Sequence, residues 1–197
     1  MDQETFMLNS THSAEADSPD YSVEATPLNI LRISFDELYR RHLCRHGQFG
    51  INILHLISVC GVYISVCSIV TILIRSAEPA MPQTMQYLSI CILSFPYFAV
   101  LLVNIPVLTF VGTAAAACLI ATAAFHDTLG PLWFHLVMIL LWHRLQLWSH
   151  HLYPLRKDMS EFDGKYRKGL RLFVLLSVYE LPILLHYFLC GRREWVR

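Results

Sequence analysis

The sequence predicts an all-α protein, a polytopic membrane bundle of about five transmembrane helices preceded by a short amphipathic helix. Among its 197 residues, 55% are hydrophobic and only 15% are charged, whereas soluble domains usually carry about 25% charged residues. The apolar residues are gathered into long blocks, and one helical crossing of a bilayer needs a block of about 20 residues. The chain is therefore predicted to be a multi-pass integral membrane protein.

Two classes of function are disfavoured by the composition. The formal net charge is zero, so no general basic field favours nucleic acid as a partner. The six cysteines show no C-x-x-C spacing and most lie within apolar blocks, where cysteine behaves as a small hydrophobic residue. We therefore predict neither nucleic-acid binding nor a disulfide framework or cysteine zinc site.

The chain is predicted to contain one folded domain between two tails. The first 28 residues hold six acidic side chains and no Lys or Arg, and low hydrophobicity with charge of one sign is typical of disorder. We assign residues 1–30 to a disordered acidic tail, residues 31–190 to a single transmembrane helical domain, and residues 191–197 to a short C-terminal tail.

The predicted domain begins with the amphipathic helix. Ser34 fits an N-cap, and Glu37, three residues later, fits its capping-box partner. The helix is predicted over Phe35–Cys44, lying at the membrane surface. Gly47 and Gly50 separate it from the first apolar block.

Four apolar blocks follow, and one of them is too long for a single crossing. The block from Tyr87 to Phe125 has about 40 residues, roughly twice what a bilayer core of about 30 Å requires. Asn104-Ile105-Pro106 lies near its middle, and a turn there divides the block into two spans. The predicted spans are Ile51–Ile74, the two halves of Tyr87–Phe125, Pro131–Trp148, and Leu170–Cys190 with a kink at Pro182.

The distribution of Lys and Arg predicts the orientation, because cytoplasmic loops carry an excess of these residues. Basic residues are concentrated before span one and after span four, and five spans put both segments on the same side. That side is predicted to be the cytoplasm, together with the N-terminus. The residues are Arg32, Arg40, Arg41 and Arg45 before span one, and Arg156, Lys157, Lys165, Arg167, Lys168 and Arg171 after span four.

The same topology places six of the ten histidines on one membrane face. Neutral imidazoles in a cluster suit iron, zinc, copper or nickel, and polar groups within a membrane are costly and usually functional. The alternative is an interfacial belt, because Trp142, Trp148 and Tyr153 lie beside them. The six are His42, His46 and His55 at the start of span one, and His143, His150 and His151 at the end of span four.

Two charged residues lie within predicted spans. Arg144 and Glu180 have opposite charges in neighbouring spans, so they are predicted to form a structural pair, since an unpaired charge at that depth is expensive. Two alternatives remain for Arg144. Its long side chain reaches the interface, or it clamps a substrate carboxylate.

Two short segments resemble a known family. The run from Tyr39-Arg-Arg-His42 to Asn52-Ile-Leu-His55 resembles that family's tyrosine, histidine, asparagine and histidine pattern at the start of the first span. Gln146-Leu-Trp-Ser-His150 resembles its Gln-x-x-Gly-His motif, with Ser149 in place of the glycine. On these motifs the chain is similar, over about residues 35–190, to the membrane-embedded, iron-dependent 2-hydroxy fatty acid dioxygenases known from fungal phytosphingosine degradation.

The resemblance implies an enzyme that shortens a 2-hydroxy fatty acid by one carbon with Fe(II) and O2, in the endoplasmic reticulum or a bacterial inner membrane. Its partners would be the membrane and a lipid substrate within the bilayer. The iron ligands that it implies are His46, His55 and His150, with His42 and His143 as further candidates. The predicted substrate-binding residues are Arg41, Arg45, Asn52 and Gln146, with Arg156 as another candidate for the carboxylate.

Two other functions are also compatible with the sequence. Fatty acid hydroxylases and desaturases also use histidines on the cytosolic face, but in tight boxes such as H-x-x-H-H that this chain lacks. The other alternative is a non-catalytic small integral membrane protein whose histidines are merely interfacial.

Overall fold

The protein is all-helical wherever the computed structural model describes it, which is over residues 29–126, 130–154 and 158–191. The all-helical class predicted from the sequence is thus confirmed. Most of the two predicted tails, the acidic one above all, lies outside the described residues. Seven helices occur in the described part: α1 Phe35–Arg45, α2 Phe49–Ala77, α3 Gln83–Asn104, α4 Val107–His126, α5 Leu132–Leu152, α6 Ser160–Asp163 and α7 Leu170–Leu189.

Four of the described helices are long and apolar enough to cross a membrane, namely α2, α3, α4 and α7. This agrees with an integral membrane protein. The helix α5 covers the predicted fourth span and has 21 residues, but it carries Arg144, Gln146 and four histidines. These polar side chains keep its hydropathy below that of the other four helices. A crossing by α5, and so the number five, remains a prediction.

Helix α1 begins where the sequence predicts, and it ends one residue later than predicted. The Ser34 hydroxyl accepts a hydrogen bond from the backbone N–H of Glu37 at 3.4 Å, which confirms the N-cap. The Glu37 carboxylate pairs with Lys165 at 2.6 Å and so ties α1 to the segment before α7. Because Phe35 and Leu38 are buried, α1 packs against the helices through its apolar face.

The break in the long apolar block lies at Ile105 and Pro106, as predicted. Asn104 ends α3 and holds the segment that leads into α1. Its Nδ2 donates to the Leu31 carbonyl at 3.0 Å, and its Oδ1 accepts from the Ile33 N–H at 2.9 Å. The junction between α3 and α4 therefore anchors the approach to α1.

Helices α2 and α5 form the most extensive helix pair in the described chain. Glycine permits this close approach at two positions on one face of α2. A Cβ atom at Gly61 would clash with the Trp142 ring, and one at Gly50 would clash with the Tyr153 side chain. Small residues at such interfaces let helix backbones approach in membranes. The pairing brings the C-terminal end of α5 beside the N-terminal end of α2.

The direction of α7 differs from the prediction. A fifth span following four crossings would run parallel to the first, but α7 runs antiparallel to α2 where the two meet. Tyr63 of α2 donates to the Ser177 carbonyl at 2.8 Å, and the ring of Phe49 is 5.7 Å from that of Phe188. The end of α7 therefore returns to the end of the bundle where α2 begins. Packing between distant segments sets this direction, and hydrophobic periodicity does not record it.

Candidate metal centre

Three histidines from three helical segments meet at this end of the bundle. His46 is the C-cap of α1, His55 lies in the second turn of α2, and His150 lies in the last turn of α5. One possible ligand nitrogen from each lies within 4.8 Å of the others. The structure thus brings together the three histidines that the resemblance implies as ligands.

One nitrogen of His46 is committed to the backbone and the other is not. Its Nδ1 lies 3.2 Å from the carbonyl oxygen of His42. Because a carbonyl only accepts, Nδ1 carries the proton and Nε2 keeps its lone pair. That Nε2 atom is buried and has no hydrogen-bond partner among the described residues.

His55 shows the same arrangement with a different partner. Its Nδ1 lies 3.1 Å from Oε1 of Glu180 in α7, and an ionised carboxylate only accepts. The proton therefore sits on Nδ1, and the buried Nε2 again has no hydrogen-bond partner in the described part of the chain. Gln146 donates through Nε2 to the same carboxylate oxygen at 3.1 Å.

His42, a further candidate ligand in the sequence analysis, is not in the three-histidine group. Its Nε2 lies 2.8 Å from Oδ1 of Asn52, and its ring stacks on that of His46 with centroids 4.3 Å apart. Burial lowers the pKa of His42 to about 4. His42 is therefore a neutral support for His46, and its Nε2 is already engaged.

Asn52 is predicted to bind substrate, and in the structure its side chain contacts His42 and the backbone. Its side chain is fully buried, and its amide is occupied on both sides. While Oδ1 bonds to His42, Nδ2 donates to the carbonyls of His46 at 2.6 Å and Gln48 at 2.9 Å. Asn52 therefore fixes the turn between α1 and α2, and both N–H donors of its side chain are used there.

His143 and Arg144 are both exposed on α5, and His143 is not in the three-histidine group. His143 lies seven residues before His150, about 10 Å along the helix axis, too far to share one ion. Arg144 is two residues before Gln146, about 200° around the helix, and so points away from Glu180. Among the described residues no ion pair joins Arg144 to Glu180, whose carboxylate pairs with His55.

The two arginines predicted to bind substrate lie in different surroundings. Arg41 is buried, with its guanidinium carbon 5.2 Å from the centre of the Tyr166 ring. Arg45 is half-buried. Burial and neighbouring histidines lower the pKa of His46 well below its usual range, and the positive charge of Arg45 contributes to this shift. Arg45 is thus the candidate beside the histidines, whereas Arg156 lies outside the described residues.

The donor set fits a transition-metal ion. Leaving a buried polar group unpaired costs about 1–3 kcal/mol, so the unpaired nitrogens of the neighbouring His46 and His55 rings need a compensating partner. Two ligands at about 2.1 Å from one ion are at most about 4.2 Å apart, which requires only a small closure from the present separation. The low pKa of His46 also favours the neutral imidazole that metals bind. Three neutral nitrogens leave coordination positions open on the ion.

Sequence reasoning missed the position of Glu180 at this centre. It is the single acidic residue of α7, and an acid in an otherwise apolar helix needs a partner. The sequence thus indicates that Glu180 needs a partner, but opposite charge favours Arg144 over a histidine. Arg144 and Gln146 lie about half a turn apart on α5, and it is Gln146 that contacts Glu180.

No protein-family model, curated protein or solved structure matches this chain.

Proposed function

We propose that this chain is a membrane-embedded, iron-dependent oxygenase of 2-hydroxy fatty acids, with His46, His55 and His150 as the Fe(II) ligands. The observation that carries the proposal is the pair of buried Nε2 atoms on His46 and His55, neither of which has a hydrogen-bond partner in the described chain. Their Nδ1 atoms are occupied, so the lone pairs of both Nε2 atoms are available to bind a metal ion.

The choice of iron and oxygen rests on the donor set and on the resemblance of the motifs. Ferrous iron on three imidazoles would supply oxygen activation and would have open positions for other ligands. A 2-hydroxy acid offers both a hydroxyl and a carboxylate oxygen to such a site. The side chains of the protein would hold the imidazoles neutral and oriented, and the burial of His46 and His55 would limit access of water.

A lipid substrate would explain why the three histidines lie at a shallow depth in the membrane. His55 is six residues into α2, about 9 Å from the start of the helix, which is shallow in a bilayer. Arg45 is available to pair with a carboxylate in the headgroup layer. The alkyl chain would lie against the exposed apolar side chains that the long helices present to lipid. The location that the resemblance and the distribution of basic residues imply is the cytosolic face of the endoplasmic reticulum, or of the inner membrane in a bacterium.

Burial argues against histidines that merely form an interfacial belt. Belt residues keep their polar atoms in the headgroup layer, but His46 is only 9% exposed and His55 only 3%. His151 is exposed and fits a belt residue. A hydroxylase or desaturase of the eight-histidine kind needs more ligands than the single three-histidine group found in the described residues.

Turnover tests the proposal. The full chain is purified in detergent, loaded anaerobically with Fe(II), and given a 2-hydroxy fatty acid or the same acid without the hydroxyl. We expect oxygen uptake only with the 2-hydroxy acid, together with a product one carbon shorter. A chain that holds iron but shows no uptake with either acid contradicts the oxygenase proposal and leaves a metal site of another function.

A further inference from the structure

We propose that Glu180 and Gln146 act together as positioning residues for the metal centre, and that Glu180 holds His55 in the tautomer that presents Nε2 to the ion. This inference rests on the proposed metal site and goes beyond it, because it assigns the centre a contribution from α7. Neither residue touches the three ligand nitrogens directly. Their effect passes through His55.

The geometry of the carboxylate supports this role. Oε1 of Glu180 lies 3.1 Å from Nδ1 of His55 and 3.1 Å from Nε2 of Gln146. The Gln146 amide nitrogen can only donate, and the ionised carboxylate can only accept. One oxygen therefore receives both bonds, and the proton of His55 is held on Nδ1. Without Glu180, either nitrogen of His55 could carry the proton.

The negative charge of Glu180 also supports a positioning role. The side chain of His55 is 4% exposed and that of Glu180 is 24% exposed, so their contact lies largely out of water. The three histidines would give a divalent ion no negative ligand, and an uncompensated charge in such a place is costly. Carboxylates that accept from metal-bound histidines raise the basicity of the ligand and fix its orientation. Glu180 would supply that negative charge to the ligand shell.

The three side chains also join three helices. Gln146 lies one helical turn before the ligand His150 on α5, His55 belongs to α2, and Glu180 belongs to α7. A metal ion bound by His55 and His150 would strengthen the same contacts that hold Glu180. Binding of the ion should therefore stabilise the docking of α7 on the α2–α5 pair.

Cobalt titration of the full chain in detergent tests the inference, because Co(II) reports its ligand field by visible absorption. Glu180→Leu should lower Co(II) affinity by about 10- to 100-fold, the usual effect of removing such a partner. In Glu180→Gln, an amide oxygen can still accept from Nδ1, so we expect an intermediate loss and partial rescue. Gln146→Leu should cost less than Glu180→Leu, since His55 keeps its acceptor.

Glu161→Gln is the matched control, because Glu161 is an exposed carboxylate on α6 and should leave the affinity unchanged. Metal-dependent thermal stabilisation should fall in the same order as the affinity. If the wild-type chain binds no Co(II), the proposed metal site itself fails. If the wild type binds and both Glu180 variants bind with the same affinity and spectrum, only the positioning role is overturned. Should Glu180→Leu not fold, the Glu180→Gln comparison decides.

Discussion

Histidines near the two ends of α2 are in opposite chemical situations. At one end, the His46 end (His46, His55 and His150), two buried imidazole nitrogens have no hydrogen-bond partner within the described chain. At the other, the His126 end (Arg75, Tyr87, Phe125 and His126), Nε2 of His126 lies 3.2 Å from the Tyr87 hydroxyl. Arg75 there donates to the Phe125 carbonyl at 2.9 Å.

This difference shows what distinguishes a candidate ligand from a structural histidine. Both ends combine histidines with aromatic residues, which is the composition of an interfacial belt. At the His126 end the polar groups are used to tie α2, α3 and α4 together and to cap the end of α4. At the His46 end the Nδ1 atoms of His46 and His55 are used in the same structural way, but their Nε2 atoms have no hydrogen-bond partner in the described chain. Buried imidazole nitrogens without a hydrogen-bond partner, rather than the number of histidines, distinguish the candidate metal centre.

The largest expected effect separates the two ends by metal affinity. His55→Ala should lower Co(II) affinity by on the order of 100-fold or more, because loss of a ligand exceeds the loss of a supporting partner. His126→Ala should bind Co(II) as the wild type does. Absorbance titration of the purified variants measures both. Equal weakening in the two variants would mean that the ends do not differ as described.

A smaller loss is expected when the support of the centre is removed and its ligands are kept. Asn52→Leu removes the bonds from Nδ2 to the His46 and Gln48 carbonyls and the bond to His42. The turn that carries His46 should loosen, and we expect Co(II) affinity to fall by about 10-fold. Retention of full affinity in a folded Asn52→Leu variant would argue that the turn is held by other contacts.

The smallest effect on the centre, with a clear effect on stability, is expected at the His126 end. Arg75→Met removes the bond to the Phe125 carbonyl, the bond to Gln86 at 3.2 Å, and the packing of the guanidinium on the Phe125 ring. Together these should lower stability by about 1–3 kcal/mol, seen as a lower melting temperature in detergent. Metal affinity should stay at the wild-type value, and a parallel fall in affinity would link the two ends.

The local features of the fold were predictable because their causes are local. Ser34 caps α1 through a hydroxyl three residues from its partner, and Pro106 breaks the long apolar block because it cannot donate to a continuing helix. The convergence of His46, His55 and His150 was also predictable, since it follows from placing two segments at one end of a bundle.

What the sequence could not predict depends on contacts between distant segments. The antiparallel course of α7 is set by contacts such as the hydrogen bond from the Tyr63 hydroxyl to the Ser177 carbonyl, and hydrophobic periodicity does not record them. The partner of Glu180 depends on the rotation of α5 about its axis, so opposite charge alone pointed to Arg144. The contacts that Asn52 makes within the turn between α1 and α2 also depend on the folded backbone.

The most direct test of the metal centre is the iron content of three purified chains: the wild type, His150→Ala and His151→Ala. The two variants differ by one position on α5, but His150 belongs to the three-histidine group while His151 is exposed. After anaerobic loading and desalting, we predict one iron per chain in the wild type and in His151→Ala, and a large loss in His150→Ala. Equal iron in both variants, or none in the wild type, would contradict the assignment of His46, His55 and His150 as ligands.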